Sequence, residues 1–244
     1  MPVRLSVNVN KVATLRNSRG GALPSVTAAV ETCVAAGVPG ITVHPRADAR
    51  HITSADVRDI ARQLAPLRGR VEFNIEGDPR PDLIDLVLEV RPDQCTLVPV
   101  VPGEITSQAG WQPEDTQLAP IVARLCAAGI RVSVFVEPAE APIRWASRVG
   151  AQRVELYTEP YAKACHAGAA AGRRSFETYA AASTLAHALG LGVNAGHDLD
   201  LDNLVLFRQL PHLDEVSIGH AIISRALWVG LDRSVRDYLA ALVD

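Results

Sequence analysis

No stretch of the 244-residue sequence approaches the roughly 18 uninterrupted apolar residues that a membrane helix needs, which argues against a helical membrane protein. The chain opens Met1-Pro2-Val3-Arg4-Leu5-Ser6, straight into strand-like sequence, without an apolar leader core or a small-residue cleavage site, so a cytoplasmic location is expected. There is no cationic surplus: 24 Lys+Arg stand against 27 Asp+Glu, a net charge of -3. Nothing sequence-wide would therefore neutralise a nucleic-acid backbone or an anionic membrane, and no such partner is expected. Cys-x-x-Cys pairs are missing too. Cys33, Cys95, Cys126 and Cys165 lie far apart, which argues against a zinc knuckle or redox dithiol and for reduced, mostly buried thiols. His-x-His and His-Glu-x-x-His are absent, so no metal ligand set stands out. The first strand candidate is followed by Asn8-Val9-Asn10-Lys11, not by a glycine-rich phosphate loop, which counts against a doubly wound open sheet.

What is present is globular: 48% hydrophobic and 21% charged residues. The length suits one complete (β/α)8 barrel of roughly 250 residues, and a single barrel domain over 1–244 is expected. Short β-rich runs recur about eight times, at Leu5 to Asn10, Gly40 to His44, Val71 to Glu76, Gln94 to Val98, Arg131 to Val136, Arg153 to Tyr157, Gly192 to Ala195 and Val216 to Ile218. Between them lie helix-patterned stretches, and Gly37, Gly129, Gly150 and Gly190 follow such stretches where a left-handed residue would stop the helix. Ser54 to Asp56 and Asp198 to Asp202 supply groups suited to helix N-termini. The alternation predicts a parallel α/β fold, and the barrel is the form favoured here. The long Pro99 to Pro113 connection is of the kind that often carries function.

Alternate strand residues share a face. Ser6, Asn8 and Asn10 oppose Leu5, Val7 and Val9; Glu72, Asn74 and Glu76 oppose Val71, Phe73 and Ile75; Thr42 and His44 oppose Ile41 and Val43; Glu155 and Tyr157 oppose Val154 and Leu156. Barrel strands pack their outer face on helices, so the polar faces should point into the lumen. An unpaired buried carboxylate costs several kcal/mol, so repeated inward Glu, Asn and His residues are better explained by a wet binding site than by packing. Strand C-terminal ends are where barrel active sites form, and they are rich here: His44-Pro45-Arg46 with His51, Asn194-Ala195-Gly196-His197, and Ile218-Gly219-His220-Ala221 before an apolar helix. Exposed amides at such a helix start suit phosphate, and Arg16 and Arg19 add positive charge after the first strand. Imidazoles beside carboxylates suit successive proton transfers. The chemistry is expected to centre on His44, Glu72 and His197.

These stretches, together with Val7-Asn8-Val9-Asn10-Lys11-Val12-Ala13-Thr14-Leu15-Arg16-Asn17-Ser18-Arg19-Gly20, resemble the pyridoxine 5'-phosphate synthase family over essentially the whole chain. The resemblance implies condensation of 3-amino-2-oxopropyl phosphate with 1-deoxy-D-xylulose 5-phosphate to pyridoxine 5'-phosphate, phosphate and water, without metal or organic cofactor, by a homo-octamer. By the same resemblance His44 and Glu72 accept protons, His197 donates one and Glu155 assists in charge stabilisation. Asn8, Arg19 and the segment from His197 to Asp198 would contact the aminoketone phosphate; Asn10, Lys11, Arg46, His51 and Thr106 would face the deoxyxylulose phosphate, with Gly219 and His220 cradling a phosphate. Three places depart from the family's usual pattern: Asn10-Lys11 replaces Asp-His, Asp198 replaces glycine, and Thr158-Glu159-Pro160-Tyr161 replaces Thr-Gly-x-Tyr. Two further readings stay open: a metal-assisted sugar-phosphate aldolase or isomerase on a barrel, and a non-catalytic phosphate-binding barrel.

Overall fold

Strands and helices alternate along the chain, with extra helices inserted after β1, β6 and β8. A computed structural model describes residues 2–101, 107, 109–115 and 117–243. In order they form β1 (Arg4–Asn8), α1 (Asn10–Asn17), α2 (Val26–Ala35), β2 (Gly40–Val43), α3 (Ser54–Leu64), β3 (Glu72–Gly77), α4 (Pro81–Val90), β4 (Gln94–Leu97) and α5 (Leu118–Ala127). There follow β5 (Arg131–Val136), α6 (Glu140–Arg148), β6 (Arg153–Tyr157), α7 (Glu159–His166), α8 (Ala169–Ala188), β7 (Gly192–Gly196), α9 (Leu201–Phe207), β8 (Leu213–Ile218), α10 (His220–Val229) and α11 (Leu231–Val243). Each strand pairs in parallel with the next, and β1 also pairs with β8 from Arg4↔Glu215 to Val7↔Ile218. The sheet is therefore a closed (β/α)8 barrel, as the recurring strand–helix pattern predicts.

Local sequence explains the element boundaries. Thr53 and Asp56 form a reciprocal capping box at the start of α3, and Asp200 with Asn203 does the same for α9. Gly37, Gly129, Gly150 and Gly190 hold φ of 101°, 79°, 83° and 78°, the left-handed stop expected of them. One helix departs from the sequence expectation, and another falls where the sequence departs from the family's usual pattern. Asn10 was placed at the end of the first strand but opens α1, and α7 occupies the Thr158–Tyr161 departure, with Pro160 in its first turn, where proline has no lost amide bond to answer for. α1 is tied down by Arg16, whose guanidinium grips Asp56 of α3 at 2.5 and 2.9 Å.

The apolar core lies outside the sheet. Leu5, Val7, Ile41, Val43, Ile75, Cys95, Leu97, Val132, Val134, Val154, Leu156, Val193, Val216 and Ile218 are all fully buried between strands and helices. The lumen is polar and layered. In its middle, Ser6 Oγ and Thr42 Oγ1 share a hydrogen at 2.6 Å, Asn74 Nδ2 donates to Thr42 Oγ1 at 3.4 Å, and Thr96 Oγ1 donates to Asn74 Oδ1 at 3.1 Å. At the N-terminal end, Arg4 Nη1 donates to Glu72 Oε1 at 2.6 Å, Arg131 grips the other Glu72 oxygen, and Arg131 Nε donates to Gln94 Oε1 at 2.9 Å. Arg153 Nη1 donates to Asn194 Oδ1 at 2.6 Å, and Asn194 Nδ2 in turn reaches Glu215 Oε1 at 3.4 Å.

This corrects the expectation for Glu72. It is the first residue of β3, about 13 Å along the strand from Glu76 at ~3.3 Å per residue. Its carboxylate, held below the usual glutamate range by the Arg131 hydrogen bond against the cost of burial, belongs to an ion cluster that plugs the barrel floor. Glu72→Gln should leave two guanidinium groups without their shared carboxylate. Because the site is one-fifth exposed, the expected loss of unfolding free energy in urea titrations is on the order of 2 kcal/mol, below that of a fully buried pair; an unchanged midpoint would refute the structural role.

Candidate active site

At the opposite, C-terminal end of the strands lies a cavity of about 360 Å³. β1 and the start of α1 bring Asn8, Asn10 and Lys11 to it; the loop after β2 brings His44, Arg46 and His51; β6 brings Glu155; the turns after β7 and β8 bring His197, Asp198, Gly219 and His220. Eleven of the expected residues thus converge. Arg19 is exposed in the turn after α1, outside the cavity lining, and Thr106 lies outside the described residues. Glu72 is at the floor, and its place in the mouth is taken by Glu76, two inward positions further along β3. Ser217, Glu159, Ser107, Val98 and Phe135 also line the cavity without having been singled out.

The two asparagines are braces before they are contacts. Asn8 Oδ1 accepts the Asn10 amide at 3.0 Å, ending β1 and starting α1, and Asn10 Oδ1 accepts the His44 amide at 2.9 Å. The His44 backbone is thereby fixed from the neighbouring stave. Arg80 Nη2 donates to the Pro45 carbonyl at 2.6 Å and holds the same loop from outside. Ile52 N donates to His51 Nδ1 at 2.9 Å, so in the neutral ring the proton sits on Nε2.

Electrostatics divide these groups by role. Burial, then the positive fields of His51, Arg46 and Arg80, push His44 down to about 3, so its imidazole is neutral at neutral pH. Burial and the charges of Arg46 and Lys11 push His51 down to about 4. Glu76 moves the other way: burial, reinforced by the nearby carboxylates of Glu155 and Glu215, raises it well above the usual range. Burial and Glu215 push Glu155 up to about 8. His44 Nδ1 stands 3.9 Å from Glu76 Oε2; with the imidazole neutral and the carboxyl pushed upwards, the pair is a base beside a weakened acid. Among the described residues, the hydrogen-bond neighbours of Glu76 are distant, Ser217 Oγ and Asn8 Nδ2, each at 3.5 Å. His44 Nε2 and Glu155 Oε2 are buried without a hydrogen-bond partner among the described residues. Orphaned polar atoms in a cavity are groups poised for a ligand.

The strand exits are shaped for close approach. A side chain at Gly196 would put its Cβ 2.6 Å from Glu155 Oε1, and one at Gly219 would stand 2.9 Å from the Asn8 carbonyl oxygen. Glycine at these points lets the backbone lie directly against the Glu155 carboxylate and the first strand. Gly219 then caps α10, whose first residue is His220.

Comparison with known proteins follows the same lines. The family described as "Pyridoxal phosphate biosynthesis protein PdxJ" matches residues 5–244. Proteins curated as "Pyridoxine 5'-phosphate synthase" are similar over nearly their full length: that of Porphyromonas gingivalis is 50% identical over 238 residues, covering 96% of this chain and 97% of the relative. That of Bacteroides fragilis is 53% identical over 241 residues, with the same shares covered. Among solved structures, thiamine phosphate pyrophosphorylase from Pyrococcus furiosus superposes with a TM-score of 0.64 at 14% identity, covering 98% of this chain and 95% of that one. Phosphoribosyl anthranilate isomerase from Thermotoga maritima gives 0.62 at 13%, covering 98% of each. The two structures share the barrel only; the sequence matches reach further, and the chain belongs to the PdxJ family of pyridoxal phosphate biosynthesis proteins.

Proposed function

We propose that the cavity joins 3-amino-2-oxopropyl phosphate to 1-deoxy-D-xylulose 5-phosphate, releasing inorganic phosphate and water and giving pyridoxine 5'-phosphate. Family membership at about half identity to curated synthases makes the chain an enzyme of that activity. The observation that carries the residue assignment is His44 Nδ1 standing 3.9 Å from Glu76 Oε2 in a buried wall of the cavity, where burial lowers the imidazole and raises both Glu76 and Glu155 above the usual carboxylate range.

Imine formation between the amine of one substrate and the ketone of the other, elimination of phosphate and ring closure each need protons placed and removed at neighbouring atoms. His44 is the first base, because its neutral ring presents a buried, unpartnered nitrogen. Glu76 takes the role expected of Glu72, exchanging a proton with the same substrate region. Glu155 supplies a neutral carboxyl against charge developing in the intermediates, and His197 returns a proton to the leaving oxygen. Phosphates carry opposite demands. Arg46, Lys11 and His51 offer positive charge and a ring N–H on one side of the cavity, and the amides at the start of α10, with His220, offer a second cradle. Lys11 strengthens the first cradle as a point charge.

Assembly into a homo-octamer and a cytoplasmic location belong to the same reading. The apolar run Leu227, Trp228 and Val229 at the end of α10, with Trp228 87% exposed, supports burial against another copy. All four cysteines are free, as a reducing compartment would keep them. No helix among the described residues is long and apolar enough to cross a membrane.

Purified protein given both phosphates and a chelator should form pyridoxine 5'-phosphate, identified by mass spectrometry; absence of product would remove the assignment, and loss of product with the chelator alone would point to metal chemistry. Glu76→Gln and His197→Asn should each lower kcat by about 10²-fold or more, the scale of general acid–base contributions, while Glu72→Gln stays within about two-fold. The opposite ranking of Glu76 and Glu72 would restore the floor carboxylate as catalytic. Stability against pH tests the protonation states separately. Because the folded state raises Glu155 from 4.5 to about 8, it keeps a proton the unfolded chain releases; the associated stability is complete below 4.5 and declines as pH rises towards 8. Across that window the wild type should lose stability relative to Glu155→Gln by up to about 1.4 kcal/mol per pH unit, measured by urea titration, and parallel curves would mean that Glu155 is ionised.

A further inference from the structure

The backbone at His197 adopts φ 119°, a left-handed conformation that a side chain with a Cβ enters only under constraint. Such a residue costs of order 1–3 kcal/mol and persists only where surrounding contacts over-determine it. The constraints are visible. Upstream, Gly196 is pressed against Glu155 and its carbonyl accepts the Thr158 hydroxyl at 2.7 Å. Downstream, the Asp198 carbonyl accepts Asn203 Nδ2 at 3.0 Å, and Asn203 is itself locked into the capping box of α9 with Asp200. The residue between these anchors therefore has little freedom, and the result is to aim one ring.

That ring is held on two sides. Tyr157 stands edge-on to it at 5.4 Å, with an interplanar angle of 84°. The Asp198 carboxylate meets Nδ1 at 2.8 Å. Nε2 has no hydrogen-bond partner among the described residues, and His197 lines the cavity. A charged carboxylate at this distance accepts a proton from Nδ1, and a neutral imidazole whose proton is on Nδ1 presents Nε2 as its free nitrogen.

We propose that Asp198 is a positioning residue: its carboxylate fixes the tautomer and orientation of His197, so that Nε2 is the nitrogen that exchanges a proton in the cavity. The inference rests on the reading of His197 as the proton donor, and assigns to the Asp198 side chain a role other than direct contact with a substrate phosphate. An anionic carboxylate turned towards an anionic substrate would oppose its binding; turned onto Nδ1, it accepts the ring's hydrogen bond instead. The hydrogen bond from His197 holds the Asp198 carboxyl below the usual aspartate range, helped by the fields of His220 and Lys163. Glu159 is the like charge nearby, and it is engaged elsewhere, accepting the Tyr157 hydroxyl and pairing with Lys163 at 2.8 Å. At 42% side-chain exposure the pair contributes little to folding, so its effect should be seen in the chemistry.

The test combines kinetics with ring-nitrogen NMR on the full-length protein labelled with ¹⁵N-histidine, His197→Asn serving to assign the His197 signals. In the wild type His197 should carry its proton on Nδ1. Asp198→Ala should shift the population to the Nε2–H form and lower kcat by about 10–100-fold, the usual range for loss of an orienting partner, with KM for each phosphate changed less than about three-fold. Asp198→Asn, which can still accept from Nδ1 but carries no charge, should restore the tautomer and part of kcat. An unchanged tautomer in Asp198→Ala, or a raised KM with kcat intact, would overturn the proposal; the second result would make the carboxylate a direct substrate contact. If no variant and not even the wild type forms product, the synthase reading fails, yet the spectra still decide whether Asp198 fixes the ring.

Discussion

A closed parallel sheet that turns the apolar side of every stave outwards must fill its lumen with the other side, and here that side is polar. Every inward atom then needs a partner or a ligand, because an unsatisfied polar group in a low-dielectric interior costs one to several kcal/mol. The floor and middle of the barrel meet most of this demand internally: guanidinium groups on Glu72, an amide chain through Gln94 and Asn194, and a chain from Ser6 through Thr42 and Asn74 to Thr96, with Arg4 Nε and Ser133 Oγ left over. The mouth does not. Glu76, Glu155 and His44 share one buried region with no cation near enough to ionise the acids. Burial raises the acids and lowers the imidazole, so the same desolvation that neutralises the carboxyls also keeps the base uncharged.

The same constraint explains why the two ends of β3 differ in surroundings while looking alike in sequence. Glu-x-Asn-x-Glu places both carboxylates on one face at a spacing that alternation cannot resolve by depth. Glu72 faces arginines contributed by β1 and β5, residues 68 and 59 positions away in sequence. Only the closure of the sheet brings those three staves together, so the partner that neutralises Glu72 was invisible from its neighbours. A rule of position was available: barrel sites form at strand C-terminal ends, and Glu76 is the carboxylate nearer that end.

Much else was readable because it is local. The stop glycines, the outward apolar faces and the histidines that follow β2 and β7 all depend on short-range geometry, and the structure places them as the pattern implies. α1 escaped because Asn10-Lys11-Val12-Ala13 continues the polar–apolar alternation of β1; the turn into helix is made by Asn8 accepting the Asn10 amide, a bond no periodicity encodes. α7 carries a local signal, an acid and a proline at its first positions. Arg19 marks a different limit, since its motif placed it in the site and the fold of one chain leaves it exposed outside the cavity lining.

Precision at the mouth comes from backbone-level bracing more than from packing. His44 is fixed by an asparagine on the adjacent stave and by Arg80 at the following carbonyl, and His197 by a strained φ between two anchored neighbours. Each brace acts on the main chain, which leaves His44 Nε2 and His197 Nε2 without a partner among the described residues and still confined in direction. A packed apolar lumen could confine a ring equally well, but it would exclude the water and phosphate that enter and leave. The polar lumen therefore serves two ends at once: it keeps the barrel floor closed through charge, and it leaves at the mouth His44 Nε2 and Glu155 Oε2 without a hydrogen-bond partner among the described residues.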